Sequence, residues 1–334
     1  MKLGSVGITY NLKKDFPGDR NPGSHPPDLA AECEEESTVE RLAMALSRIA
    51  DQVVLLPHTS DLLQRLEDTR PDLVFNIAEG WTGRNRESLI PALLELLAIP
   101  YTGSDALSLG IALDKAVAKR VVTTSGIPTP LWFKACSRHD IEDLGMMYPL
   151  FVKPVFEGSS KGIRGLSKVS NQAELAERVE WIVAEYAQPA LIEDFLPGRE
   201  FTVGILGNGQ PHVLPIMEVC PGNRESADAD FVYCFETKSG NLERFKIPAP
   251  IPESLANELR SIALGVFEAL ECRDVARVDI RLDAEGKPNF LEVNPLPGLS
   301  SVSLLPLQAQ AAGLSFDDLV ERIAASAMRR YGLA

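Results

Sequence analysis

"RVDIRLDAEGKPNFLEVNPLPG", residues 277–298, alternates like two short strands joined by a tight turn. Val278, Ile280 and Leu282 share one face of the first arm, and Leu291 and Val293 are assigned to the same core face on the second. Successive strand side chains face opposite ways, so Asp279, Glu292 and Asn294 fall together on the other face. Residues 283–287, DAEGK, supply the turn, with Gly286 able to take a positive φ. Two carboxylates and an amide on one face have a simple explanation as the wet side of an antiparallel sheet. They also suit a hard cation, which takes oxygen ligands. The rest of the chain has to choose between these readings.

With 334 residues, the chain can form two or three units with their own cores. Hydrophobic residues make up 45% and charged residues 24%, as in ordinary globular proteins. A formal net charge of −14 argues against a nucleic-acid backbone or an anionic membrane as general partner. Any phosphate must then be held by a few placed lysines or by a metal. No apolar run reaches membrane-spanning length, and the N-terminus enters a strand-like segment without a signal-peptide cleavage region. The five cysteines, Cys33, Cys136, Cys220, Cys234 and Cys272, are scattered and lack CxxC spacing. They read as reduced thiols, and the expected location is the cytoplasm. Four histidines without i,i+3 or i,i+4 pairing argue against a histidine-built metal centre.

The first hundred residues alternate strand-like and helix-like segments, which predicts an open parallel sheet with flanking helices. Between Leu12 and Ser37 runs a polar stretch long enough to be either functional or disordered. Helices are expected after an Asp114 cap, over "NQAELAERVEWIVAEY", over residues 253–271, and after a Ser315–Asp318 capping box. Strands are expected at "LFVKPV", "PALIEDFL", "EFTVGILG" and "VLPIMEV", with a loop over 221–248. The fold class is α/β and α+β.

Some residues stand out of place. Lys153 lies among Phe151, Val152 and Val155, so it either faces water on an edge strand or asks for an anion. Lys115, in the first turn of its helix, opposes the helix dipole; a tolerated surface lysine is the competing reading. "EGSSKG" (157–162) offers backbone N–H groups and hydroxyls to phosphate, although it matches neither a P-loop nor GxGxxG. Two lysines, a Gly/Ser turn and a carboxylate hairpin together suit a magnesium–nucleotide site.

Four stretches, "PYTGSDALSLGIALDKAVAKR…GIPTP", "FVKPVFEGSSKG", "IEDFLPGREFTV" and "RVDIRLDAEGKPNFLEVNPLPGLSSVSLLP", resemble the successive motifs of D-alanine–D-alanine ligases of the ATP-grasp superfamily. The resemblance implies a three-part ATP-grasp fold: an N-terminal parallel-sheet domain (1–112), a small subdomain with the phosphate loop (113–199) and a large one with metal and acceptor sites (200–334). It implies that Lys115, Lys153 and Ser160 hold ATP phosphates. Glu193, Asp194, Phe195 and Leu196 would cradle adenine, Glu200 the ribose, and Lys238 would reach the terminal phosphate from a lid. Asp279, Glu292 and Asn294 would bind two magnesium ions, or manganese. Arg277 and the Gly298 N–H would meet an oxyanion, with Ser159 near the first substrate and Ser303 and Leu304 at the second. The substrates would be small and amino-acid-like, with D-alanine twice as the default. Homodimers are common in that family.

The family's N-terminal signature is absent. One of Glu34, Glu35 or Glu36, with Glu36 the first candidate, would replace its ammonium-binding glutamate, against the plainer reading of an acidic helix turn. "NIAEGWTGRNRES" (76–88) replaces a histidine–glycine stretch, and Ser239 stands where a lid tyrosine is common. The alternatives are therefore a ligase for another amino acid or natural-product carboxylate, and a silent ATP-binding protein.

Overall fold

The computed structural model describes residues 2–16, 26, 28–163, 165–221 and 243–333. In the first sheet β1 (Leu3–Tyr10) runs parallel to β2 (Ala50–Pro57) on one side and β3 (Leu73–Asn76) on the other. The connecting helix α1 (Glu36–Leu46) buries Val39, Leu42, Ala45 and Leu46, the three- and four-residue spacing that lays one face on a sheet. Helices α2 (Leu62–Thr69) and α3 (Leu89–Leu96) add Leu62, Leu66, Ile90 and Leu94 to a separate apolar cluster with Leu56 and Val74. Then α4 (Ala106–Leu113) ends at Asp114, which begins α5 (Lys115–Thr124). The expected cap is present: the Asp114 carboxylate accepts from the Ala116 and Val117 N–H groups, both at 3.1 Å.

The second sheet is antiparallel. It comprises β4 (Trp132–Ala135), β5 (Leu150–Pro154), β6 (Lys168–Val169) and β7 (Ala190–Asp194) in the order β4-β7-β5-β6, and α6 (Gln172–Tyr186) packs on it. The third, also antiparallel, holds β8 (Glu200–Leu206), β9 (His212–Val213), β10 (Met217–Pro221), β11 (Glu243–Lys246), β12 (Val275–Leu282) and β13 (Pro288–Asn294). Its order is β11-β10-β8-β12-β13, with β9 paired to β8. Helix α7 (Glu253–Ala269) lays Leu259, Ala263 and Val266 against Phe201, Val278 and Ile280. Two helices close the chain, the short α8 (Leu304–Ala311) and α9 (Phe316–Arg330), the latter opened by the expected Ser315–Asp318 box.

Two expectations need correction. β11 lies within the stretch read as a loop, because "ERFK" carries one apolar residue and its order comes from pairing with β10. The hairpin's second arm is also not a plain alternation. Asp279 pairs with Glu292 but Ile280 pairs with Phe290, so Leu291 is an extra residue in a β-bulge. Phe290, fully buried, takes the core position assigned to Leu291, which lines the cavity instead. The turn is as expected: Gly286 has φ +79°, and the Asp283 carboxylate accepts from the Glu285 and Lys287 N–H groups at 3.0 and 2.8 Å.

The end of the chain returns to its beginning. Leu319, Ile323 and Ala327 of α9 join the core of the first sheet. Buried Asp274 ties the pieces by accepting from Gly103 N–H at 2.9 Å, Asn208 at 2.6 Å and Arg330 at 2.6 Å. No helix among the described residues is long and apolar enough to cross a membrane.

Candidate active site

A cavity of about 800 Å³ is lined from the second and third sheets and from α1 and the loops that flank the first sheet. Lys115 opens α5 with its side chain buried; its Nζ donates to the Glu157 carbonyl and lies 3.3 Å from Glu292 Oε2. Lys153 on β5 is also buried, and its anion is Glu193 Oε2 at 2.9 Å. The readings of Lys153 as an exposed edge-strand group and of Lys115 as a surface lysine are therefore set aside. Glu193 also meets Lys119, whose Nζ lies 2.6 Å from Oε1 and donates to Thr129 Oγ1 at 2.6 Å. Burial would raise the Glu193 carboxyl, but the two ammonium groups overcome it and hold the pKa at about 2. Burial presses Lys119 down to about 8 against the pull of Glu193. Lys119 is absent from the sequence reading. Its signal was the four-residue spacing from Lys115, which puts both on one helix face.

On the third sheet Asp279 stands opposite Glu292, and Arg277 opposite Asn294. Arg277 grips Asp279 with both prongs, Nε to Oδ1 at 3.1 Å and Nη2 to Oδ2 at 2.9 Å. Burial tends to raise the Glu292 pKa, yet Lys115, Lys153 and Arg277 bring it below the ordinary value. Glu200 lies 3.2 Å from Arg281, and burial pushes its pKa up despite that partner. Among the described residues no three histidine, cysteine or carboxylate groups could hold a metal by themselves. Asp279 and Glu292 need the Asn294 amide oxygen beside them; this all-oxygen set fits a hard divalent cation completed by ligand oxygens.

In the Gly/Ser turn, Ser159 and Ser160 take φ +50° and +60°, left-handed conformations that cost about 1–2 kcal/mol each outside glycine. The turn is held from the first sheet's side. Glu32 accepts from the Gly158 N–H at 2.7 Å and meets Lys161 at 2.6 Å and Arg86 at 2.9 Å. Asp28 accepts from the Gly162 N–H at 2.9 Å and from the Tyr186 hydroxyl at 2.8 Å. Burial would raise Glu32, but Arg86 and Lys161 hold it at about 2. This part of the long polar stretch thus has a structural place that composition could not supply.

Asp194, Phe195, Leu196, Gly298, Ser303 and Leu304 line the same cavity. Ser303 precedes α8, and its hydroxyl is 2.8 Å from that of Ser300. Glu36 is the exception: it lies exposed in the first turn of α1, paired with Lys14, and does not line the cavity. The chain enters α1 with Glu34 and Glu35 on the cavity side, so the choice among the three shifts away from Glu36. Lys238 and Ser239 lie outside the described residues.

A model for the "D-ala D-ala ligase C-terminus" matches residues 124–325. The D-alanine–D-alanine ligase of Syntrophotalea carbinolica is 39% identical over 297 residues, covering 88% of this chain and 91% of that one. The chain belongs to the D-alanine–D-alanine ligase family. Another relative, the uncharacterized protein y4sG of Sinorhizobium fredii, is 37% identical over 304 residues, covering 87% and 88%. The fold matches the crystal structure of D-alanine–D-alanine ligase from Bacillus anthracis complexed with ATP, with TM-score 0.76, 24% identity and 99% of each chain covered. The expected ATP-grasp architecture is that of this ligase family.

Proposed function

We propose that the protein is an ATP-dependent carboxylate–amine ligase that joins two amino acids through an acyl phosphate. The observation that carries this is one cavity in which Lys115 and Lys153 face Asp279, Glu292, Asn294 and Arg277. Lys115, Lys153 and the Gly158–Ser160 backbone would hold the ATP phosphates, residues 193–196 the adenine and Glu200 the ribose. Asp279, Glu292 and Asn294 would hold two magnesium ions, which supply Lewis acidity and neutralise phosphate charge. A substrate carboxylate oxygen attacks the γ-phosphorus, and the bond to the β-phosphate oxygen breaks with its electrons leaving on ADP. The second substrate's amine then attacks the acyl carbon, an oxyanion forms facing Arg277 and the Gly298 N–H, and phosphate leaves as the amine loses a proton. Ser303 and the start of α8 would receive the second substrate's carboxylate. D-alanine twice is the family's pairing; the rebuilt stretch at 76–88 favours another first substrate.

The test is ADP release from Mg-ATP over single and paired D- and L-amino acids, with product mass determined. Amino-acid-dependent ADP release with a new amide of matching mass is the expected result; ATP binding without turnover for every pair would sink the reading and leave a silent nucleotide-binding protein.

Glu32 gives a local check. A Cβ built on Gly158 would meet Glu32 Oε1 at 2.5 Å. Gly158→Ala is expected to push that carboxylate off the loop and raise the KM for ATP about tenfold, the worth of one charged hydrogen bond. An unchanged KM would show that the Glu32 contact does not shape the phosphate loop.

A further inference from the structure

Among the described residues, the first-sheet end of the cavity carries acids with no ion-paired cation. Glu34, Glu79 and Glu87 all line it. The other acids there are matched: Glu32 by Arg86 and Lys161 at 2.9 and 2.6 Å, Glu157 by Arg86 at 3.3 Å, and Glu35 by Lys13 at 2.8 Å. Neighbouring cations are committed elsewhere, Arg84 to Asp114 at 2.8 Å and Arg41 over the Phe316 ring at 4.1 Å. Among the described residues, no lysine, arginine or histidine forms an ion pair with Glu34, Glu79 or Glu87. Glu87 is only 7% exposed, and its carboxylate has no hydrogen-bond partner among them. Among the described residues Glu34 is hydrogen-bonded by neutral groups, the Thr38 hydroxyl and the Leu299 N–H, with Lys13 a more distant charge.

Burying acids without partners is costly, so a cavity wall built of them is expected to be completed by a ligand. The electrostatics agree: burial raises all three carboxyls, Glu87 to about 7. Among the described residues the three acids do not converge on one metal position. An organic cation fits. The wall also adjoins the reacting end of the proposed site, since Glu32 ties this side of the cavity to Gly158, next to Ser159 and Ser160. A first substrate lying with its carboxylate at that turn would place its amino end against the wall.

We propose that Glu34, Glu79 and Glu87 select a first substrate with a cationic side chain besides its α-ammonium, an amino acid of the ornithine, lysine or arginine class. The inference rests on the ligase reading. The α-ammonium of a small neutral amino acid satisfies one carboxylate and leaves the others unpaired. A second cationic group two to four carbons farther on answers them. Sites built to pair a polar group discriminate strongly against analogues lacking it.

The full chain with saturating Mg-ATP would be given alanine, ornithine, lysine and arginine of each hand, alone and in pairs. ADP release and product mass are the readouts. A cationic amino acid is expected to exceed alanine of the same hand about 100-fold in kcat/KM. Glu87→Gln and Glu79→Gln should each remove at least about tenfold of that preference, mainly through the KM for the amino acid, with the KM for ATP held within about twofold. The same variants should melt higher than the parent, because an unpaired buried acid is gone; the melt also verifies that they fold. A parent enzyme that prefers alanine, or a cationic preference untouched in both variants, would overturn the proposal while the ligase reading stands. No ADP release with any amino acid would overturn both.

Discussion

Glu193→Gln is expected to cost about 3–5 kcal/mol of folding stability, measured by urea unfolding at pH 7, as breaking one side of a buried ion pair does. Glu193 is a single buried carboxylate serving two buried lysines, Lys119 at 2.6 Å and Lys153 at 2.9 Å. A neutral amide keeps the shape and removes the charge. Lys119 and Lys153, both buried, would then lie beside each other with no carboxylate between them, and one of them would have to give up its proton. Lys119, already pressed down to about 8 by burial, is the one to do so. A loss of this size is a large share of the ~5–15 kcal/mol that holds a typical domain together. If the variant unfolds within about 1 kcal/mol of the parent, the lysines are solvated in a way that their burial does not allow.

The same carboxylate sets an acid limit. The folded pKa values of Glu193 and Glu32, at about 2, lie below the ordinary glutamate value of 4.5. A lowered acid pKa means that the folded state binds fewer protons than the unfolded chain through this window. Its stabilisation is therefore complete above pH 4.5 and is lost as pH falls towards 2. Glu193→Gln should flatten the fall in stability between pH 5 and 3 relative to the parent.

The legible parts of this molecule were those whose order is local. Asp114 before Lys115, and Ser315 three residues before Asp318, declare helix starts by themselves, and the structure places both caps there. The hairpin at 277–298 was visible because alternation and a glycine turn are written in adjacent residues. What the chain hid depends on partners far away in sequence. The bulge at Leu291 changes which face a side chain takes without altering the apolar alphabet, so residue types alone could not reveal it. Glu32 and Arg86 are 54 positions apart, and nothing near either announces the other. Glu36 was attractive because it sits in an acidic run at a helix start. One step of chain direction decides which acid faces the cavity: half-buried Glu34, ahead of the helix, lines it, whereas Glu36 in the first turn is exposed and does not. Lys119 was hidden differently: in an amphipathic helix a lysine reads as surface, and its burial follows from packing against Thr129 and Phe290.

Arg277→Ala is expected to lower kcat by about 10²–10³-fold with little change in the KM for ATP. Arg277 lines the cavity from β12 with its guanidinium plane fixed by Asp279, at 3.1 and 2.9 Å. In the proposed reaction, negative charge moves onto the acyl oxygen only when the amine attacks, so an arginine aimed there helps the transition state more than the bound substrates. That predicts a fall in kcat and not a general loss of binding. Arg277→Lys keeps the charge but loses the planar fork that Asp279 orients, and should fall between parent and alanine variant. A purely structural role would act differently: Asp279 would lose its partner, metal affinity would shift, and both variants would change the magnesium dependence together. Added guanidinium ion separates the two cases, because it can refill the space left in Arg277→Ala and restore part of kcat at unchanged magnesium. A kcat within about threefold of the parent in Arg277→Ala would remove this residue from the reacting centre and leave the Gly298 N–H as the donor to examine.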